Sequence, residues 1–179
     1  MLTASFFMSL DGVVDAPHEW HFPYMDEEAN AASSAVVDEA DTILLGRTTY
    51  EEWLPFWPAQ GTSNPMAAFF NTTPKLVVST TLEELEWDGA ALISGDVAGA
   101  VRAAKDGPGK DIASFGSGTL VTSLLLDGLV DELRVMVHPI VVGGGKRLFE
   151  GGGDKLGLRL VGRREFPSGV VSLTYTCAG

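Results

Sequence analysis

Gly46-Arg47-Thr48-Thr49 combines the residue types needed to grip an anion. The glycine lacks the Cβ that would block a ligand, the arginine offers planar paired donors, and the two hydroxyls can bond a phosphate or cap a helix. These residues follow the apolar run Ile43-Leu44-Leu45. A strand would therefore deliver them to the start of a helix, where backbone N–H groups are unpaired and the dipole is positive. Gly116-Ser117-Gly118-Thr119-Leu120 repeats the arrangement after the apolar run 112–115. It is not the GxGxxG fingerprint, because Val121 stands where the third glycine would be, and no Lys-Ser/Thr follows to make a Walker loop. Two such turns predict a ligand with separated phosphates, such as a dinucleotide. Ser79-Thr80-Thr81 place further hydroxyls at a strand's carboxyl end, where open α/β sheets bind ligands. A plain helix cap ahead of Glu83 and Glu84 is the alternative there.

A second group could handle the substrate. Trp20, His21, Phe22 and Tyr24 can wall a planar molecule, and His138 ends a strand just before Pro139. A carboxyl beside such rings can have a raised pKa suited to proton donation. Asp11, within Ser9-Leu10-Asp11-Gly12, and Asp26 are the candidate proton donors or substrate anchors, with Glu27 and Glu28 adjacent. Asp26 also suits a helix N-cap. The three histidines form no metal-ligand pattern, and no metal is expected.

These residues need elements to position them. Apolar runs predict strands at 3–8, 42–45, 75–79, 91–94, 111–115, 133–138, 158–166 and 170–176. Helices are predicted over 26–40, from 48, and at 65–71, 96–105 and 119–126, with an irregular Pro/Trp-rich stretch at 55–65. Alternating strands and helices followed by a terminal hairpin imply an α/β fold. Its central sheet is mostly parallel, with an antiparallel C-terminal edge and helices on both faces. The glycine clusters 143–145 and 151–153 either form a flexible connection or present Lys146-Arg147-Leu148-Phe149 as a structured segment.

With 179 residues the chain fits one domain, 1–179. A formal net charge of −12 argues against nucleic-acid or anionic-membrane partners, which demand clustered Lys and Arg. The single Cys177 allows no intrachain disulfide, and no run reads as a signal peptide or bilayer span, so a cytoplasmic location is expected.

The chain resembles the dihydrofolate reductase-like superfamily, and more closely the C-terminal reductase domain of the bifunctional riboflavin-biosynthesis deaminase/reductase. Four motifs in the family's order carry the resemblance: Ser9 to Gly12, Ala40 to Glu51, Gly116 to Leu120, and His138-Pro139 through Gly143 to Phe149. It implies a dihydrofolate reductase-like sheet of about eight strands and an NADPH site. Gly46, Arg47, Thr48 and Thr49 would lie beside the adenosine phosphates, Ser79, Thr80 and Thr81 near the 2′-phosphate, and Gly116, Ser117, Gly118, Thr119 and Leu120 under the pyrophosphate. Trp20, Phe22 and His138 would border a pterin- or ribosylaminopyrimidine-like substrate whose C=N or C=O carbon receives hydride. The chain departs from dihydrofolate reductase proper at Trp20-His21-Phe22-Pro23, where Asp26 follows one position later than the family's acid. It also carries no deaminase domain. The resemblance further implies a homodimer, for which Val135, Val137, Ile140 and Val141 could offer apolar surface, though a buried strand explains them equally well. A non-catalytic nucleotide- or folate-binding protein of the same fold is the alternative, and a purely structural dimerisation module a third.

Overall fold

The computed structural model describes residues 1–62, 64–150 and 155–177. Eight strands form one sheet: β1 (Leu2–Ser9), β2 (Ala40–Gly46), β3 (Lys75–Val78), β4 (Ala90–Ile93), β5 (Asp111–Phe115), β6 (Glu132–His138), β7 (Leu158–Glu165) and β8 (Val171–Cys177). Their order is β4-β3-β2-β5-β1-β6-β8-β7. The strands from β4 to β6 are parallel, and β8 and β7 close the sheet as an antiparallel pair. The parallel sheet with an antiparallel end is therefore as expected.

Among the described residues six α-helices accompany the sheet: α1 (Glu27–Glu39), α2 (Arg47–Trp53), α3 (Trp57–Gln60), α4 (Pro65–Thr72), α5 (Val97–Asp106) and α6 (Gly118–Leu126). Their starts follow local chemistry. The side chains of Asp26, Asn64 and Asp96 accept from the N–H groups of Ala29, Ala67 and Gly99 at 2.8 Å, satisfying donors that the first helical turn leaves unpaired. The short α3 lies inside the stretch expected to be irregular. No helix follows Thr81, where a cap was the alternative reading.

Strand periodicity sorts the core onto two faces. Leu2, Ala4, Phe6, Leu44 and Ile112 pack with Val101 of α5 and Val121, Leu124 and Leu125 of α6. Ile43, Leu45, Val77 and Ala113 point the other way, against Val36 of α1, Tyr50 of α2 and Phe69 and Phe70 of α4. A third cluster, Ala29, Met136, Phe166 and Val170 with Phe7 and Tyr24, fills the space under the start of α1.

Connectivity makes a crevice. The chain leaves β2 toward β3 on one side and leaves β5 toward β6 on the other, although β2 and β5 are neighbours. In open α/β sheets the gap between two such strands, at their carboxyl ends, is where ligands bind. Gly46 ends β2, and Gly116 immediately follows β5.

Candidate functional site

Register sets the shape of the crevice. Leu44 pairs with Ser114, so Gly46 and Gly116 turn out of the sheet at the same level. Ser5 pairs with Phe115, and β1 and β6 continue side by side to Ser9 and His138. These two strands therefore stand about 10 Å above the floor of the crevice, at about 3.3 Å per residue. From β3 to β6 the row of strand ends spans about 19 Å, at about 4.8 Å per strand.

The floor is tightly knit. The N–H of Gly46 donates to Oγ of Ser117 at 2.8 Å, and both the N–H and the hydroxyl of Ser117 donate to Oγ1 of Thr49 at 3.0 Å. Gly116 and Ser117 are both left-handed, with φ of 59° and 56°. A Cβ on Gly116 would lie 3.3 Å from Thr49 Oγ1, so the close approach of α2 requires glycine there. The two turns, expected from the sequence to serve one ligand, lie side by side because β5 lies beside β2. Thr49 is buried and serves this linkage, while Thr48 and Thr119 are exposed. Gly118 and Leu120 sit in the first turn of α6, beside Val14 and Leu148.

Gly46 is paired with Val78, so Arg47 and Ser79 leave neighbouring strands together. Arg47 is exposed and ion-paired with Glu51 at 2.9 Å. The hydroxyl of buried Ser79 accepts from the N–H groups of Thr81 and Leu82 at 3.1 and 3.0 Å. Ser79 therefore shapes the turn, and the exposed Thr80 and Thr81 hold the outer position.

The opposite end of the crevice is aromatic. His138 is fully buried, and the rings of Phe7, Trp20, His21 and Tyr24 surround it at 5.4 to 6.3 Å between centroids. Its Nδ1 lies 2.9 Å from the Met136 carbonyl, which can only accept, so Nδ1 carries the proton and Nε2 is an acceptor. That Nε2 is buried without a hydrogen-bond partner. Burial lowers the His138 pKa against the opposing Met136 and Met8 carbonyls, and the neighbouring His21 lowers it further. Burial lowers that of His21 as well. Trp20 is fixed by its indole N–H donating to the Asp15 carbonyl at 3.0 Å, and Phe22 lies exposed over His21.

Neither candidate acid is placed to donate a proton. Asp11 accepts from Ser9 Oγ at 2.7 Å and from the N–H groups of Val142 and Gly143 at 3.0 Å, with Arg147 at 3.5 Å. The Ser9 hydrogen bond, followed by those backbone donors, lowers its pKa to about 2. Asp26 caps α1 and accepts from Ser168 N–H at 2.9 Å, and the Ala29 N–H bond is the first cause of its lowered pKa. Both are ionised at neutral pH and act as anchors. The first donor to each is close in the chain, Ser9 for Asp11 and Ala29 at the expected α1 cap for Asp26, while Val142, Gly143 and Ser168 add links that only the fold supplies.

Asp11 ties the segment after β6 to the end of β1. The Val13–Arg147 bridge extends that link, so Lys146 to Phe149 begins as a structured segment. Residues 151–153 lie outside the described residues. We expect Asp11→Ala to speed hydrogen exchange at the Val142 and Gly143 amides by about tenfold. The folded-state pKa lies below the ordinary 3.8, so this anchoring is complete above that value and is lost as the pH falls through about 2. Unchanged exchange at pH 7 would show that the carboxylate does not hold the segment. Among the described residues no group of His, Cys, Asp and Glu could hold a metal, and no helix is long and apolar enough to cross a membrane.

Comparison with known proteins gives this crevice a context. The family described as the RibD C-terminal domain matches residues 1–172. The chain is 32% identical over 172 residues to the uncharacterized protein YyaP of Bacillus subtilis, covering 94% of this chain and 90% of that one. A second uncharacterized protein of that organism, YwjB, is 25% identical over 166 residues, covering 91% and 90%. Among solved structures, a pyrimidine reductase-like protein of Corynebacterium diphtheriae is similar with a TM-score of 0.66 and 15% identity, covering 99% of this chain and 92% of that one. Dihydrofolate reductase of Enterococcus faecalis, complexed with NADP(H), is similar with a TM-score of 0.67 and 15% identity, covering 100% and 97%. The fold is thus dihydrofolate reductase-like.

Proposed function

The chain belongs to the RibD C-terminal domain family, and from that premise we propose that it is an NADPH-dependent reductase acting on a small heterocycle. The observation that carries this reading is the pair of joined turns at Gly46 and Gly116, which lie at the strand-order reversal on the same sheet edge as the aromatic cluster around His138. The residues present fit a dinucleotide. Gly116 and Gly118 keep side chains off the backbone, and the unpaired N–H groups of the first turn of α6, at Gly118, Thr119 and Leu120, suit a pyrophosphate. Arg47 with Thr80 and Thr81 suits the 2′-phosphate at the far end. NADPH would supply the hydride when bound. The walls formed by β1 and β6, with Trp20, His21 and Phe22 above them, would align the acceptor carbon and exclude water. Asp11 and Asp26 are ionised anchors, so the accompanying proton would arrive through water or an imidazole.

The test is Arg47→Ala. NADPH should bind about tenfold more weakly in a fluorescence titration while NADH changes little, because only NADPH carries the extra phosphate. Equal loss for both cofactors would reject the role assigned to Arg47. One observation favours a competing reading, a protein that holds the ligand without turning it over: both candidate acids are ionised anchors. Cofactor binding without oxidation against pterins, pyrimidines and quinones would support that alternative.

A homodimer belongs to the same proposal. Val135 is buried in the core and cannot serve an interface. Val141 is exposed, and Leu160 and Val161 expose apolar surface on the edge strand β7.

A further inference from the structure

The aromatic end of the crevice holds a ring where a ligand ring would fit. The imidazole of His21 stacks on Phe7 at 4.7 Å with 14° between planes, and Phe22 covers its other side at 4.0 Å. It thus fills a slot one aromatic ring thick, edge-on to His138 at 6.1 Å. Yet it leaves Nε2 of His138 unpartnered. A buried acceptor without a donor is costly, and a donor entering the slot could satisfy it. The segment carrying His21 is tied within itself, with His21 Nδ1 2.6 Å from the Pro17 carbonyl, and is tethered across Ala16 by the Trp20 indole bond to the Asp15 carbonyl, which withdrawal would break. It consists of two single-turn 3-10 helices, Pro17–Glu19 and Phe22–Tyr24, neither of which has a side-chain cap. It begins at Ala16, whose φ of 40° and ψ of 49° place a non-glycine residue in the left-handed region. Such a residue stores strain that a change of loop conformation would release.

We propose that His21 is a resident plug in the substrate slot, displaced by a planar nitrogen heterocycle that stacks on Phe7 and donates an N–H hydrogen bond to Nε2 of His138. Ala16 is the hinge over which residues 17–24 withdraw. Asp26, fixed on α1 by Ala29 and Ser168, bounds the moving segment at its other end. His138 is then a specificity-determining residue. Its protonation at Nδ1 is set by the Met136 carbonyl, so the slot selects a ring edge that donates and discriminates against one that only accepts. The inference deepens the reading of this crevice as the substrate side of a reductase, but its test needs neither NADPH nor turnover.

The probes are uracil, which is planar and carries two N–H donors, and 1,3-dimethyluracil, which carries none. Calorimetric titration at pH 7.5 should show His21→Ala binding uracil at least about tenfold more tightly than the unaltered chain, because no plug must be expelled. His21→Ala should bind 1,3-dimethyluracil at least about tenfold more weakly than uracil, and His21→Ala/His138→Phe should lose that discrimination. Should the variants fold poorly, the unaltered chain serves. Saturation with uracil should shift the 15N resonance of His138 Nε2 as it gains a donor, with Nδ1 still protonated. Equal affinity for the two probes in His21→Ala, no gain over the unaltered chain, or an unmoved Nε2 resonance at saturating uracil would overturn the proposal. NADPH binding that passes the Arg47 test alongside such a result would sink the plug and leave the reductase. The reverse pattern would sink the reductase and leave the plug.

Discussion

Ser117→Val is expected to destabilise the protein by about 3 kcal/mol and to weaken NADPH binding at least about tenfold. Ser117 is the rivet of the crevice floor. Its hydroxyl accepts from Gly46 N–H and donates to Thr49 Oγ1, joining the end of β2, the first turn of α2 and the turn before α6. Valine leaves the Gly46 N–H without that partner, at about 1–3 kcal/mol. It also puts a β-branched side chain at φ 56°, which adds to the strain that serine already bears there. The affinity falls because the first turn of α6 is aimed by this linkage, and a shift of the turn redirects its unpaired N–H groups. Ser117→Gly separates the two causes, since it loses the hydroxyl but suits the backbone. It should fall between the parent and the valine variant in a denaturant titration. A valine variant as stable as the parent would show that the lips of the crevice are held by something else.

Lys75 carries the second large effect. It opens β3 and is only 1% exposed. Its ammonium donates to the carbonyls of Thr73 and Asp88 at 2.8 and 3.2 Å and lies 4.7 Å from the Trp87 ring centroid. Burial, only partly opposed by the Asp88 carboxylate, lowers its pKa from 10.5 to about 8. The sign follows from proton counting. Between about 8 and 10.5 the unfolded chain holds a proton that the folded chain has released, so this group makes stability rise with pH across that window. Below about 8 the charged amine costs the fold about 3 kcal/mol relative to an unshifted lysine. Lys75→Met removes the titration and fills similar space. We expect the variant to be more stable than the parent at pH 7 by about 1–2 kcal/mol, the gain reduced by the two carbonyl hydrogen bonds it gives up. That advantage should shrink by about 3 kcal/mol as the pH is raised to 10.5. Denaturant titrations of both proteins from pH 7 to 10.5 measure it, and the difference cancels the background of other titrating groups. A difference that stays flat with pH would mean that Lys75 keeps its ordinary pKa in the fold.

The elements were legible because each is written locally. Apolar runs such as Ile43-Leu44-Leu45 and residues 112–115 stop at glycine, and Asp26 precedes a helix with acids in its first turn. All eight strands and the main helices lie within a few residues of where hydrophobic periodicity puts them. The misread part was α3, where Pro58 among tryptophans hides a single helical turn. Residue roles were less legible. Nothing around Lys75 in the chain announces that it is buried. His21 and His138 read as separate loop and strand-end residues, and only the pairing of β1 with β6 brings Phe7 and His138 to the same slot.

The sequence by itself determined the succession of strands and helices, the glycine-opened turns at 46 and 116, and the family motifs, because these depend on neighbours a few residues apart. The tertiary structure alone decided that the two turns, expected to serve one ligand, are bonded directly to each other through Gly46 and Ser117, since that requires β5 to enter between β1 and β2. It also decided the charge states. Asp11 is lowered first by the Ser9 hydroxyl and then by the amides of Val142 and Gly143, Asp26 is lowered by the amide of Ala29 together with that of Ser168, and Lys75 is lowered by burial against the opposing Asp88 carboxylate. A proton's affinity for a side chain depends on the donors, charges and solvent around it. Folding brings several of those partners together from segments far apart along the chain.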